Sequence, residues 1–313
     1  MRVVTLGETM GLARSTEIGS LAHAPTMKLG IGGAESNVAI ALSRLGVSTS
    51  WIGRVGTDSL GDLIARELTA ERLDVHAIRD PGAPTGLMLK EHRTAASTKV
   101  WYYRAGSAGS RLRPDDIAPG LIASSSLLHV TGITAAISAT AREAVHAVIA
   151  IARAAGVRVS LDLNYRSALW GREEAAAEFE SLIGLADIVF GGDDELAIVV
   201  GDAGGPEELA RRIAELGAGH VIVKLGADGC AALVDGKFVR RAAVPVVPVD
   251  TVGAGDAFVA GYLAECLSGV PLEGRLATAV TAGAFACLVP GDWEGMPRRS
   301  ELGMLAASDP VTR

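Results

Sequence analysis

Short apolar runs alternate with helical stretches along almost the whole of this 313-residue chain, and that alternation restricts it to a largely parallel sheet covered by helices on both faces. Val38, Ala41, Leu42 and Leu45 keep helical spacing and stop at Gly46; Val145, Val148, Ile149 and Ala152 do the same before Gly156. Ser50 to Ile52, Leu127 to Thr131, Arg158 to Leu161, Asp187 to Phe190 and His220 to Leu225 read as strands bounded by turn residues. Pro206 opens a further helix, with Glu207 and Glu208 in its first turn and Leu209, Ile213 and Leu216 facing the core until Gly217. The rhythm breaks once. Thr85 to Lys90 and Thr98 to Arg104 are extended runs joined by a polar loop and carry Trp101, Tyr102 and Tyr103. They form either an ordinary surface hairpin or a β-flap over a ligand with Tyr103 and Arg104 pointing inward. Exposed edges of such a flap could also pair subunits into a homo-oligomer.

Composition narrows the partner. At 49% hydrophobic and 21% charged residues with a formal net charge of -7, the chain is globular and offers no Lys/Arg stripe to track nucleic acid, which leaves a small molecule. Cys230, Cys266 and Cys287 form no CxxC pair and no two histidines stand at metal-ligand spacing, so structural zinc and a disulfide framework are not expected. The first residues hold no signal-peptide core, and no uninterrupted apolar stretch has spanning length. A reduced, cytoplasmic setting without a membrane partner is the expectation.

The chemistry concentrates in Asp250-Thr251-Val252-Gly253-Ala254-Gly255-Asp256, which runs into the apolar segment Ala257 to Leu267. Two glycines let the backbone approach a ligand closely, and the segment behind them reads as a buried helix. Free amides at that helix N-terminus can hold the charge of a transferring phosphoryl group, while Asp256 beside them can take the proton of an alcohol. The alternative is that Asp256 merely caps the helix. A second cluster, Gly30-Ile31-Gly32-Gly33-Ala34-Glu35-Ser36-Asn37, matches neither a dinucleotide fingerprint nor a P-loop. It is either a tight turn with Ser36 or Asn37 as cap, or a place where Gly33 and Ala34 admit a hydroxylated ligand that Asn37 hydrogen-bonds.

These segments, with Gly53-Arg54-Val55-Gly56-Thr57-Asp58-Ser59-Leu60-Gly61 between them, resemble the signatures of the ribokinase-like (PfkB-type) sugar kinases over nearly the whole chain. The resemblance implies a three-layer α/β/α sandwich, one kinase domain with a small β-sheet lid from segments near 10–30 and 85–104. It also implies ATP and Mg²⁺ as cosubstrates with room for a monovalent cation, Asp256 as base, and an anion hole lined by Gly253, Ala254 and Gly255. Tyr102 to Ser110, His129 to Thr134, Asp162 to Arg166 and Gly291 to Gly295 are similar to segments of the members that act on keto-deoxy sugar acids. A carboxylate substrate suits guanidinium partners, and Arg104 and Arg166 are the candidates, against plain surface charges. Asp292 would touch sugar hydroxyls.

On the nucleotide side the resemblance points to Lys224, Gly226, Ala227 and Gly229, against a plain β-turn, and Asn164 with Arg166 would lie at the mouth of the sheet where ligands bind. The family's Asn-x-x-Glu is Gly192-Asp193-Asp194-Glu195 here, so the Asn is missing and Glu195 alone is the candidate at the metal, unless it is only a first-turn carboxylate. A kinase of a neutral sugar or nucleoside and a non-catalytic sugar-acid sensor are the rival readings.

Overall fold

The alternation closes into two sheets in a computed structural model of the chain, which describes residues 1–94 and 97–306. Nine strands form the main sheet in the order β13-β12-β11-β10-β9-β8-β1-β4-β5. They are β1 (Arg2–Leu6), β4 (Ser48–Gly56), β5 (Asp74–Asp80), β8 (Leu127–Thr131), β9 (Arg158–Asp162), β10 (Ile188–Gly192), β11 (His220–Lys224), β12 (Cys230–Val234) and β13 (Lys237–Arg241). From β5 to β11 neighbours are parallel, and β12 and β13 extend that edge antiparallel. Chain order reverses direction at β1, which lies between β4 and β8, so the carboxyl ends around it are where an open α/β sheet leaves a crevice.

Helices cover both faces. α1 (Ala34–Arg44), α9 (Ala254–Leu267) and α10 (Leu272–Ala286) enclose one core with Phe190, Ile222 and Tyr262; α3 (Pro119–Ala123), α4 (Gly132–Ile137), α5 (Ala139–Ala154), α6 (Arg172–Ile183), α7 (Asp193–Val200) and α8 (Pro206–Glu215) lie on the other, around Val145, Val159, Phe179 and Val189. α2 (Ser59–Ala70) packs beside β4 and β5 through Ile64 and Leu68. α5 shows why such segments are helical: Ser138 caps it by accepting from Ala141 N at 3.1 Å, and its buried residues repeat at three- and four-residue intervals. α9 has no polar face, because Asp256 through Leu267 are all buried between the sheet, α1 and α10. The three cysteines are free, and no helix among the described residues is long and apolar enough to cross a membrane.

The second sheet has the order β3-β2-β6-β7, built from β2 (Met10–Ser15), β3 (Met27–Gly32), β6 (Leu87–Thr94) and β7 (Ser97–Tyr103), with β2 and β6 parallel and the outer pairs antiparallel. The hairpin expected at Thr85–Arg104 is longer than its sequence suggests. Strand β6 continues through Glu91 to Thr94, where polar residues read as loop, because those residues pair with β7 and Glu91 is itself buried. Residues 95 and 96 of the expected loop lie outside the described residues.

Close contact between α9 and α10 sets the position of the α9 N-terminus. At Gly261 an added Cβ would stand 2.9 Å from Ala279 Cα and 3.0 Å from Thr278 O, both backbone atoms. We expect Gly261→Val to cost about 1–3 kcal/mol through overpacking, read as a lower urea midpoint at unchanged m-value. An unaltered midpoint would show that the helices can part freely.

Candidate active site

The crevice over the carboxyl ends of the strands is a cavity of about 1010 Å³ with the small sheet as one wall. Several of its polar side chains are delivered by a strand end or a helix start: Glu8 after β1, Asn37 in α1, Asp162 and Asn164 at the end of β9, Glu195 in α7, Lys224 at the end of β11 and Asp256 in α9.

The turn before α9 is held from three sides. Asp250 accepts from Val252 N through Oδ1 and from Gly291 N through Oδ2, each at 3.2 Å. Gly253 has φ +80°, and a Cβ there would lie 1.9 Å from Asp292 O, so only glycine fits in this conformation and this space. Gly255 faces open space, its nearest neighbour being the Lys224 ammonium. The amide of Ala254 bonds to Thr251 O at 3.3 Å, whereas those of Gly255 and Asp256 have no acceptor among the described residues and open the helix towards the cavity.

Asp256 is buried there with one hydrogen-bond donor, Asn37 Nδ2 at 2.8 Å. Burial, opposed by Asn37 and reinforced by the charge of Asp162, leaves its carboxyl pushed up to about 7 despite the attraction of Arg166 and Lys224. A carboxylate in this range is matched to proton abstraction near neutral pH. Lys224 lies against Asp162 at 2.7 and 3.0 Å and 3.7 Å from Glu195. Burial opposes its charge, but the facing carboxylates outweigh that cost and hold the ammonium protonated above its ordinary range.

The structure brings Gly33, Ala34, Asn37, Arg104, Asn164, Arg166, Glu195, Lys224, Gly253, Gly255, Asp256 and Asp292 to this cavity. Several are engaged differently from the expectation. Asn37 donates to Asp256, and the close approach at Gly33 is to the backbone of Glu8, 2.4 Å from an added Cβ. Arg104 lies side-on to Glu8, with Nε at 2.7 Å and Nη2 at 2.6 Å, leaving Nη1 uncommitted among the described residues. Asp292 meets Lys90 at 3.1 Å, and burial raises its pKa. Glu195 accepts from Tyr165 N at 2.9 Å and Gly192 N at 2.7 Å, so its first work is to cap α7. Tyr103 does not point inward: period-two alternation along β7 puts Val100 and Tyr102 on the cavity side and leaves Tyr103 61% exposed on the outer face. Ala254 lies within the turn but off the cavity wall. Gly226 and Ala227 are exposed in the turn after β11, and Gly229 is fixed by the backbone of Arg241, 2.1 Å from an added Cβ; none of the three lines the cavity.

Glu8, Lys90 and Asp162 are cavity residues that the sequence reading passed over. Each had a signal: Glu8 and Asp162 sit at the carboxyl ends of parallel strands, and Lys90 shares the inward parity of Met88 directly after the apolar run Leu87 to Leu89. Asp162 and Glu195 put two carboxylates on one side of the cavity, the donor type that hydrated Mg²⁺ takes, and Lys224 neutralises them in its absence.

The chain is similar to known proteins along nearly its whole length. Residues 1–299 match the model of the pfkB family carbohydrate kinases. A 2-dehydro-3-deoxygluconokinase of Bacillus subtilis is 37% identical over 305 residues, 96% of this chain and 93% of its own length. One of Thermoproteus tenax is 36% identical over 304 residues, covering 96% and 92%. An uncharacterised sugar kinase from Pyrococcus horikoshii, solved in complex with ATP, superimposes with a TM-score of 0.83 at 28% identity over 96% of this chain and 97% of its own.

The raised Asp256 carboxyl has two consequences of opposite sign. An ionised base is needed for proton abstraction, so kcat/KM should rise with pH through about 7 and lose that limb in Asp256→Asn, which should retain under about 0.1% of turnover. The folded pKa exceeds the unfolded one, so the stability gained by holding the proton is present below about pH 4 and lost as pH rises through about 7. Asp256→Asn should therefore be more stable than the parent at pH 8 by on the order of 2–4 kcal/mol and equal to it near pH 4. Denaturant titrations at the two pH values check this, and equal stability at pH 8 would contradict the raised carboxyl.

Proposed function

The chain belongs to the pfkB family of carbohydrate kinases, and from that premise we propose that it transfers the γ-phosphoryl group of ATP to a keto-deoxy sugar acid, 2-keto-3-deoxygluconate, giving the 6-phosphate. The observation that carries this reading is Arg166, which lines the cavity near Asp256 and bonds only to the neighbouring Tyr165 O at 3.0 Å, with no carboxylate partner among the described residues. Arg166 is exposed at the mouth of the cavity, and an unpaired guanidinium placed there can recognise an entering anion. The two curated relatives named as 2-dehydro-3-deoxygluconokinases support a sugar acid as that anion.

In the proposed reaction Asp256, oriented by Asn37, accepts the proton of the terminal hydroxyl while the amides of Gly255 and Asp256 receive the phosphoryl oxygens. Lys224 supplies charge on the same side. Mg²⁺, when bound, neutralises the nucleotide phosphates, and Asp162 and Glu195 would hold its waters. Arg166 and the free Nη1 of Arg104 would orient the acid so that its far hydroxyl meets Asp256, a gain of positioning. Met88 and Tyr102 of the small sheet close over the sugar and restrict water. The enzyme would work in the cytoplasm, where ATP and free thiols coexist. One feature favours a neutral sugar instead: Glu8 already balances the charge of Arg104.

The outer face of the small sheet carries Met27, Leu29 and Tyr103, exposed by 40, 55 and 61%. We propose that a second copy of the chain covers it. Light scattering should give a dimer or larger assembly, and Leu29→Glu should dissociate it; a monomeric parent protein would end that proposal.

ATP-dependent ADP release measured with 2-keto-3-deoxygluconate, its galactonate epimer, ribose, fructose and adenosine decides the substrate. Turnover should be confined to the two acids, and Arg166→Met should raise the KM for the acid about tenfold or more while moving the KM for ATP little. Turnover confined to a neutral sugar would overturn the acid reading. A KM effect on ATP alone would assign Arg166 to phosphate.

A further inference from the structure

We infer that Lys90 is a positioning residue for phosphoryl transfer, a tethered cation that fixes the anion-binding turn and ties it to the sheet closing over the sugar. Its ammonium is wholly buried, 2.6 Å from Asp250 Oδ2 and 3.1 Å from Asp292 Oδ1, carboxylates that are themselves 1% and 7% exposed. Lysine is almost never buried to this extent without a specific demand for its charge.

Both partners control the turn before α9. The Asp250 oxygen that Lys90 contacts also accepts from Gly291 N, and the other caps Val252 N, so the ammonium locks the rotation of the carboxylate around which the turn is folded. Asp292 presses on the turn directly, its carbonyl standing where a Cβ of Gly253 would be. The same Asp292 carboxylate touches the small sheet twice, at Lys90 on β6 and at Gly32 on β3, where an added Cβ would lie 2.3 Å from Oδ2. On β6, Met88 is two residues before Lys90 and faces the cavity with it. One ammonium therefore joins the wall that meets the sugar to the amides that meet the phosphate, and no hydrogen bond or ion pair links it to either catalytic group, Asp256 or Lys224.

The inference rests on this cavity being the kinase centre and not on which sugar it takes, so it is tested with whichever panel substrate the parent protein turns over. Lys90→Ala leaves both carboxylates and a space the size of a small ammonium ion. Its kcat should fall about tenfold or more while the KM for ATP changes less than about threefold, and the circular dichroism spectrum should match the parent. Methylammonium or ethylammonium should restore kcat severalfold in that variant alone, and tetramethylammonium, too large to enter, or ethanol, uncharged, should not. Full kcat without amine, or a loss that no amine reverses, overturns the inference. If Lys90→Ala does not fold, Lys90→Arg carries the test: the broader guanidinium keeps the charge but cannot seat between Asp250 and Asp292 in the same geometry, so kcat should fall at retained ATP affinity. Unchanged kcat in Lys90→Arg, or equal losses in kcat and ATP affinity, would exclude a positioning role. A parent protein inactive on every panel substrate would refute the substrate reading and this inference together, whereas an active parent with an indifferent Lys90 would refute this one alone.

Discussion

Negative charge buried over the ends of parallel strands is the constraint to which the rest of this molecule conforms. Each carboxylate taken from water costs several kcal/mol unless a cation or donors replace the solvent. At most of these carboxylates the chain answers with a basic side chain: Arg104 on Glu8, Lys224 on Asp162 and Glu195, Lys90 on Asp250 and Asp292, while Glu35 is held by the hydroxyls of Thr131 and Thr134. Among the buried carboxylates on the cavity wall, Asp256 is left with an amide instead of a cation. Its affinity for a proton follows first from burial, then from the neighbouring charge of Asp162, with no cation in contact to offset them.

Much of this architecture was legible because glycine and proline punctuate the chain where elements end. β8 coincides with its sequence boundaries, β9 and β11 differ by a residue, and α8 starts on Pro206. The turn of Gly253 and Gly255 was legible for the same reason, since a helix buried on all sides must begin at a turn that brings backbone close to other groups. Composition signals failed where polar residues are buried. The second half of β6 looked like loop because Glu91 to Thr94 are polar, yet Glu91 is sequestered, accepting from Leu21 N at 2.8 Å.

Partnerships between distant residues were not legible at all. Asn37 and Asp256 are 219 residues apart, Lys90 and Asp292 202 apart, and nothing local in either member of a pair specifies the other. Arg104 illustrates the cost of this blindness: guanidinium chemistry argued for a ligand carboxylate, and the nearest carboxylate is the protein's own Glu8. Tyr103 was misplaced by a single residue of register, which in a strand exchanges one face for the other.

The small sheet is assembled from two separate stretches of chain, with β2 and β6 pairing in parallel across everything between them. A parallel pair of that separation cannot close as a local hairpin and gains its contacts only after the intervening strands β4 and β5 have been placed. The two hairpins of the small sheet therefore join late, once the chain between them has packed into the edge of the main sheet.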